Sequence, residues 1–169
     1  MRYILLFAFL TLSLQSCKSS KSKINTRKTP KTTRTTSTKT INKTADAVVK
    51  HAKTFEGVKY KYGGNTRRGM DCSGLVHEAF RANDISLPRT TSALSTSGDW
   101  IDLKEVEVGD LVFFATRKNS RKVNHVGIVT NTRTGYVEFI HASTSKGVIV
   151  SSLAERYWYF AFVQARRIL

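Results

Sequence analysis

A cysteine followed at long range by two histidines sets the chemistry open to this chain. Asp71-Cys72-Ser73-Gly74 is led in by Gly69 and Met70, and Leu75, Val76, Ala79 and Phe80 then recur at helical spacing. That pattern predicts Cys72 at or near a helix N-terminus, where unpaired backbone N–H groups and the helix dipole favour thiolate over thiol. His125 and His141 each stand at a strand edge by sequence context. An imidazole beside a thiol takes its proton, leaves a strong nucleophile for a carbonyl carbon, and returns the proton to the leaving amine. Antiparallel pairing of the two strands would set the histidines side by side, one as base and the other fixing its tautomer. His125, Gly127 and Val129 share a strand face, and the small Gly127 leaves room beside the imidazole. The Cys72 backbone N–H and a tyrosine hydroxyl are the expected donors to a tetrahedral oxyanion.

Other assignments compete for these residues. His51 falls on the polar part of the first helix, and His77 follows Cys72 by five residues and points away from it on an ideal helix. Both read as structural or solvated. Zinc held by Cys72, His125 and His141 is the chemical rival, but no C-x-x-C or H-x-x-x-H spacing supports it. Neither metal nor cofactor is expected. An inert buried thiol is the bland alternative for Cys72, and the flanking Asp71, Ser73 and Gly74 argue against it.

The elements that must position these groups follow from pattern and breakers. Thr44 is the expected cap of a helix with Val48, Val49, Ala52 and Phe55 on one face, ending at Gly57. Residues 58–62 read as extended, Gly63-Gly64 as a turn, and the Cys72 helix as running to about Asn83. Residues 85–103 read as loop, with Pro88 and Gly98 as breakers and one short helix near Ser92 to Ser97. Residues 110–114, 125–129, 136–140 and 148–150 are short β-rich runs separated by polar turns, and 157–163 is aromatic and β-prone. Helices first and an antiparallel strand series second predict an α+β domain over 45–169, its N-terminal helices packed on one side of the sheet. There is no internal repeat, glycine-rich phosphate loop or dinucleotide fingerprint.

The N-terminus reads as an export signal. In residues 1–16, Arg2 precedes an apolar run from Tyr3 to Leu14, about a dozen residues and short of the roughly 18 that span a membrane. Leu14-Gln15-Ser16-Cys17 resembles a bacterial lipobox, which predicts acylation at Cys17; an ordinary signal with an incidental cysteine is the alternative. Cys17 and Cys72 are the two cysteines of the 169 residues, so lipidation leaves Cys72 without a partner in an oxidising compartment. The net charge of +16 is uneven: Lys18 to Thr44 holds nine Lys/Arg, no acid and thirteen Ser/Thr in 27 residues. From Ala45 onward there are eighteen basic and twelve acidic side chains. Residues 17–44 therefore read as a lipidated cysteine followed by a disordered basic tether, spanning about 30 Å as a coil and about 90 Å when taut. The export signal argues against nucleic acid as partner; anionic headgroups, wall carboxylates or plain solvent are the expected surroundings.

Six ordered blocks resemble the NlpC/P60 cell-wall cysteine peptidases. They are Tyr60-Lys-Tyr-Gly-Gly64, Gly69-Met-Asp-Cys-Ser-Gly74, Leu87-Pro-Arg-Thr90, Gly109-Asp-Leu-Val112, His125-Val-Gly-Ile128 and His141-Ala-Ser143. The segment 141–152, Tyr157-Trp158 and Ala165-Arg-Arg-Ile168 resemble most the Spr (MepS) type within that family. The resemblance implies a papain-like domain that cleaves peptidoglycan peptides. It implies Cys72 as nucleophile, His125 as general base, His141 as the residue orienting that base, and Tyr60 at the oxyanion hole. Asp71, Ser73 and Arg89 match positions near the cleft and are candidates for substrate binding. The basic loop 116–124, a longer segment between the two histidines and the basic tether depart from the Spr type.

The expected activity is hydrolysis of stem-peptide cross-links, D-alanine to meso-diaminopimelate, by a monomeric lipoprotein of the outer membrane facing the periplasm. Cutting within the stem between D-glutamate and diaminopimelate, trimming of the stem end, transpeptidyl transfer and a non-enzymatic wall-binding role are the alternatives. A protein regulator is left open.

Overall fold

The computed structural model describes the backbone from Arg34 and side chains from Lys43 onward. The expected signal peptide, Cys17 and the expected tether up to residue 33 lie outside the described residues. Helix α1 (Arg34–Lys53) starts well ahead of Thr44, so residues 34–44 are helical, where an extended tether was expected. No proline or glycine interrupts 34–53, and a helix anchored by its packed face extends outward through such a sequence. That face is Ala45, Val48, Val49 and Ala52, with Phe55 just beyond, all buried.

A small hairpin of β1 (Asn65–Thr66) and β2 (Gly69–Met70) precedes α2 (Cys72–Arg81). The segment 58–62, expected extended, contributes one bridge, Tyr60 to Met70. Then come α3 (Thr91–Leu94), β3 (Asp99–Ile101), β4 (Leu111–Phe114), β5 (His125–Arg133), β6 (Tyr136–Ser143) and β7 (Gly147–Ser152). Helix α4 (Arg156–Ala161) and β8 (Phe162–Arg167) complete the order. The main sheet has six strands in the order β3-β8-β4-β5-β6-β7, every pairing antiparallel.

Alternation along the strands separates two cores. Leu111, Phe113, Val126, Ile128, Ile140 and Ala142 pack with α1 and α2. Val112, Phe114, Val129 and Phe139 face the other way, against Trp158 and Ala161 of α4. The N-terminal helices thus lie on one side of the sheet as expected, while α4 covers the other. The run 157–163 was expected as β-strand and is helical in its first part. Trp158 and Ala161 are buried three residues apart, while Tyr157, Tyr159 and Phe160 are exposed, the spacing of a helix face. At the ends of β4 and β8, the buried Asp110 carboxylate accepts from Arg167 Nε at 3.0 Å and a terminal guanidinium nitrogen at 2.8 Å. This two-pronged pair fixes the end of the sheet remote from His125.

Candidate active site

Helix α2 begins at the cysteine because Asp71 caps it. Asp71 is extended, with φ −98° and ψ 174°, and its carboxylate accepts the Gly74 N–H at 2.7 Å. Its second oxygen accepts the Gly63 N–H at 2.7 Å. Arg89 donates to both carboxylate oxygens at 2.9 and 3.1 Å, to Gly64 O at 3.0 Å and to Ser73 Oγ at 2.8 Å. The Ser73 hydroxyl donates to Asp71 Oδ1 at 3.2 Å. Burial alone would raise the Asp71 carboxyl, but Arg89 and the two backbone N–H groups hold it below the usual carboxylate range. Asp71, Ser73 and Arg89, expected as substrate contacts, do line the cleft, and they hydrogen-bond to one another, to the Gly63-Gly64 turn and to the Gly74 N–H. The geometry makes them the clamp that sets the head of α2. Gly74 is required there: a Cβ would sit 2.1 Å from Gly64 O and 3.0 Å from the Arg89 guanidinium.

Cys72 is a free thiol, 7% exposed. Its sulfur lies 3.6 Å from Thr91 Oγ1 at the start of α3. Burial pushes the thiol above its ordinary range, outweighing the Thr91 hydroxyl and the Val126 and Ser73 N–H groups that favour thiolate. The helix N-terminus alone therefore does not ionise the resting sulfur, contrary to the sequence expectation. Attack by this thiol would need a base to take its proton.

The candidate base is within the sheet. His125 opens β5 and His141 lies near the end of β6; antiparallel pairing brings His125 Nε2 to 2.9 Å from His141 Nδ1. His141 Nε2 lies 3.0 Å from Ser151 Oγ on β7. The relay thus crosses three adjacent strands. Both rings pack on Trp158, His125 stacked at 5.5 Å and 24°, His141 edge-on at 4.6 Å. Burial lowers His125 to about 4, and burial with the neighbouring His125 lowers His141 to about 3. Both are neutral at pH 7. For His125 Nδ1 to accept a proton, Nε2 must carry hydrogen and donate to His141 Nδ1. The His141 hydrogen then sits on Nε2 and faces Ser151 Oγ. The room left by Gly127 is taken up: a Cβ there would meet Phe139 Cδ2 at 2.6 Å and His141 Cβ at 3.4 Å.

Tyr60, Tyr62 and Cys72 line a cleft of about 440 Å³ together with Arg117 and Asn124. Burial, then the nearby Cys72 and Asp71, push the Tyr60 hydroxyl above its ordinary range, which keeps it a hydrogen-bond donor at neutral pH. Because the His125 and His141 nitrogens face each other, they do not converge on a shared point, and no group of metal-binding side chains occurs among the described residues. His51 packs edge-on to Phe55 at 5.4 Å and His77 sits 3.5 Å from Glu78. Sequence reasoning missed Ser151, Trp158 and Thr91. Ser151 lies at an ordinary strand position; only the β6–β7 register, with Phe139 opposite Ser151, brings it beside the histidine.

Comparison with known proteins bears on the family and the fold. The NlpC/P60 family matches residues 57–167. The Escherichia coli K12 protein named probable endopeptidase NlpC is 48% identical over 117 residues, 69% of this chain and 73% of that protein. Murein DD-endopeptidase MepS/Murein LD-carboxypeptidase of the same strain is 41% identical over 116 residues, 68% of this chain and 58% of that protein. The crystal structure of an NlpC/P60 family protein from Bacillus cereus ATCC 10987 superposes with a TM-score of 0.67 at 28% identity, covering 74% of this chain and 40% of that one. With the matched segment running from before Tyr60 through β8, and the fold and sequence likeness extending over the same stretch, the chain belongs to the NlpC/P60 family.

Proposed function

We propose that this protein is a cysteine peptidase of the cell envelope that hydrolyses peptidoglycan cross-links at the bond between D-alanine and meso-diaminopimelate. The observation that carries the reading is a thiol at the head of α2 with the N–H of Val126, the residue after His125 on β5, on its sulfur, and a neutral His125 ring paired with His141 at 2.9 Å. His125 Nδ1 takes the Cys72 proton as Sγ bonds to the carbonyl carbon. The carbonyl oxygen, now negative, accepts from the Cys72 N–H and the Tyr60 hydroxyl. The C–N bond then breaks, and the imidazolium gives its proton to the departing amine. Water, deprotonated by His125, releases the thioester as a carboxylate and restores the thiol. His141 and Ser151 hold the His125 ring, and the Asp71–Arg89 clamp holds the thiol. A lipid on Cys17 anchors the protein in the outer membrane, facing the periplasm.

The test uses the detergent-solubilised full chain and its Cys72→Ala variant on defined cross-linked muropeptides, with products read by mass spectrometry. Thiol-dependent conversion of dimers to monomers with intact tetrapeptides supports the reading. Shortened stems would move the cut inside the stem or to its end, and no cleavage by folded protein would refute peptidase function. Incorporation of labelled palmitate, lost in Cys17→Ala, checks the anchor.

A further inference from the structure

The cleft does not end at the thiol. Arg117 lines it and also lines a neighbouring groove of about 560 Å³ that continues over Lys118, Arg156, Tyr157 and Phe160. Tyr157 is 58% and Phe160 65% exposed, large rings open to solvent. Three cationic side chains line this groove and no carboxylate does. In the cleft itself the one acidic side chain, Asp71, is neutralised by Arg89.

The groove is a built surface. The basic loop 116–124 is closed at its base by the Thr116 N–H donating to Asn124 Oδ1 at 2.8 Å and by Asn124 Nδ2 donating to Thr116 Oγ1 at 2.9 Å. Its far side is tied to the end of α4, where the Arg121 guanidinium donates to Phe162 O at 3.1 Å. Arg156 lies over the Phe160 ring at 5.7 Å, joining a cation to an aromatic face. Loop and helix thus present their charges and rings together, in a groove that shares Arg117 with the cleft of the thiol.

We propose that this groove is a subsite for the acidic stem peptide of the second strand of a cross-linked substrate, a proposal that rests on the endopeptidase reading above. A cross-link joins two peptides, so a cleft holding the scissile bond has to let one of them leave across its rim. Stem peptides carry several carboxylates on short aliphatic residues. Cations interleaved with exposed aromatic faces complement both parts, and the cleft is continuous with the groove at Arg117. Specificity for a dimer over a short peptide then comes from Lys118, Arg156, Tyr157 and Phe160, leaving the chemistry to Cys72 and His125.

The test separates binding from catalysis by working in full-length Cys72→Ala protein. A fluorescently labelled, sugar-free cross-linked peptide dimer is titrated at low and high salt against the parent and against Lys118→Glu/Arg156→Glu, with matched thermal melts as a folding check. Reversal of two exposed charges is expected to weaken binding roughly ten-fold at low salt, with the gap closing as salt rises. Tyr157→Ser/Phe160→Ser is expected to weaken it at both salts. Equal binding by parent and variants overturns the proposal. So does a loss seen only with disaccharide-bearing dimers, which would make the groove a glycan site. In the Cys72 form, the same charge reversal is expected to raise KM for the dimer with kcat unchanged. If the Cys72 form cleaves no substrate while the binding difference persists, the endopeptidase reading fails and the acidic-peptide subsite stands.

Discussion

Ser151→Ala tests whether the relay is more than packing. His141 is fully buried and its Nε2 has Ser151 as its hydrogen-bond partner. Without that hydroxyl, the His141 tautomer carrying hydrogen on Nε2 leaves a buried donor unsatisfied, at a cost of about 1–3 kcal/mol. The ring escapes by moving its hydrogen to Nδ1, which then donates to His125 Nε2 across the 2.9 Å contact. His125 must in turn carry its hydrogen on Nδ1 and can no longer take the thiol proton. A tautomer penalty of about 1–3 kcal/mol reduces the competent population roughly 5- to 150-fold. We expect kcat to fall within that range with KM unchanged, and Ser151→Thr to restore most of it. The assay is steady-state hydrolysis of a cross-linked muropeptide, with ¹⁵N NMR of the imidazoles reporting tautomer. A Ser151→Ala enzyme within two-fold of the parent kcat, and with the tautomers unmoved, would refute the reasoning.

Further outcomes follow from the same contacts. Arg89→Met removes the guanidinium from the Asp71 carboxylate and is expected to cost about 1–3 kcal/mol in urea unfolding, a discounted figure because Arg89 is partly exposed; the Asp71 carboxyl should titrate higher. Gly74→Ala drives a Cβ to within 2.1 Å of Gly64 O, so the clamp opens and hydrolysis drops at least ten-fold even where the fold persists by circular dichroism. Because burial lowers His125 to about 4 and His141 to about 3, unfolded chains bind protons before folded ones as pH falls below about 6.5. Stability is therefore full above that pH and lost progressively down to about 4, on the order of 3 kcal/mol for His125; urea midpoints at pH 8, 6 and 5 check it, and a flat series would count against neutral buried rings. The same values place the acid limb of kcat/KM near pH 4, well below that of a free imidazole.

The place of Cys72 at a helix start was legible because its signals are local: Asp71 as cap, Gly74 and the apolar spacing after it lie within one helical turn or two. The pairing of His125 with His141 was legible because two adjacent β-runs joined by a short polar turn form a hairpin. Three features were not. Helix α4 hides in an all-aromatic run, where Tyr157, Tyr159 and Phe160 mask the period set by Trp158 and Ala161. Ser151 and Trp158 reach the histidines through strand register and through packing across the sheet, neither written in any local motif. The resting state of Cys72 was misjudged because helix-end electrostatics can be read from sequence, whereas the opposing burial is a property of the assembled site.

The relay and the thiol also differ in how they come together. His125, His141 and Ser151 belong to consecutive hairpins, so their contacts close over short stretches of chain. Such contacts form early, at small loop-closure cost. The sulfur comes from the other half of the domain and meets β5 only when α2 docks on the sheet. Recovered hydrolysis during refolding should therefore report that docking event, lagging the return of strand signal, and an unfolded chain stays harmless until its two halves have met.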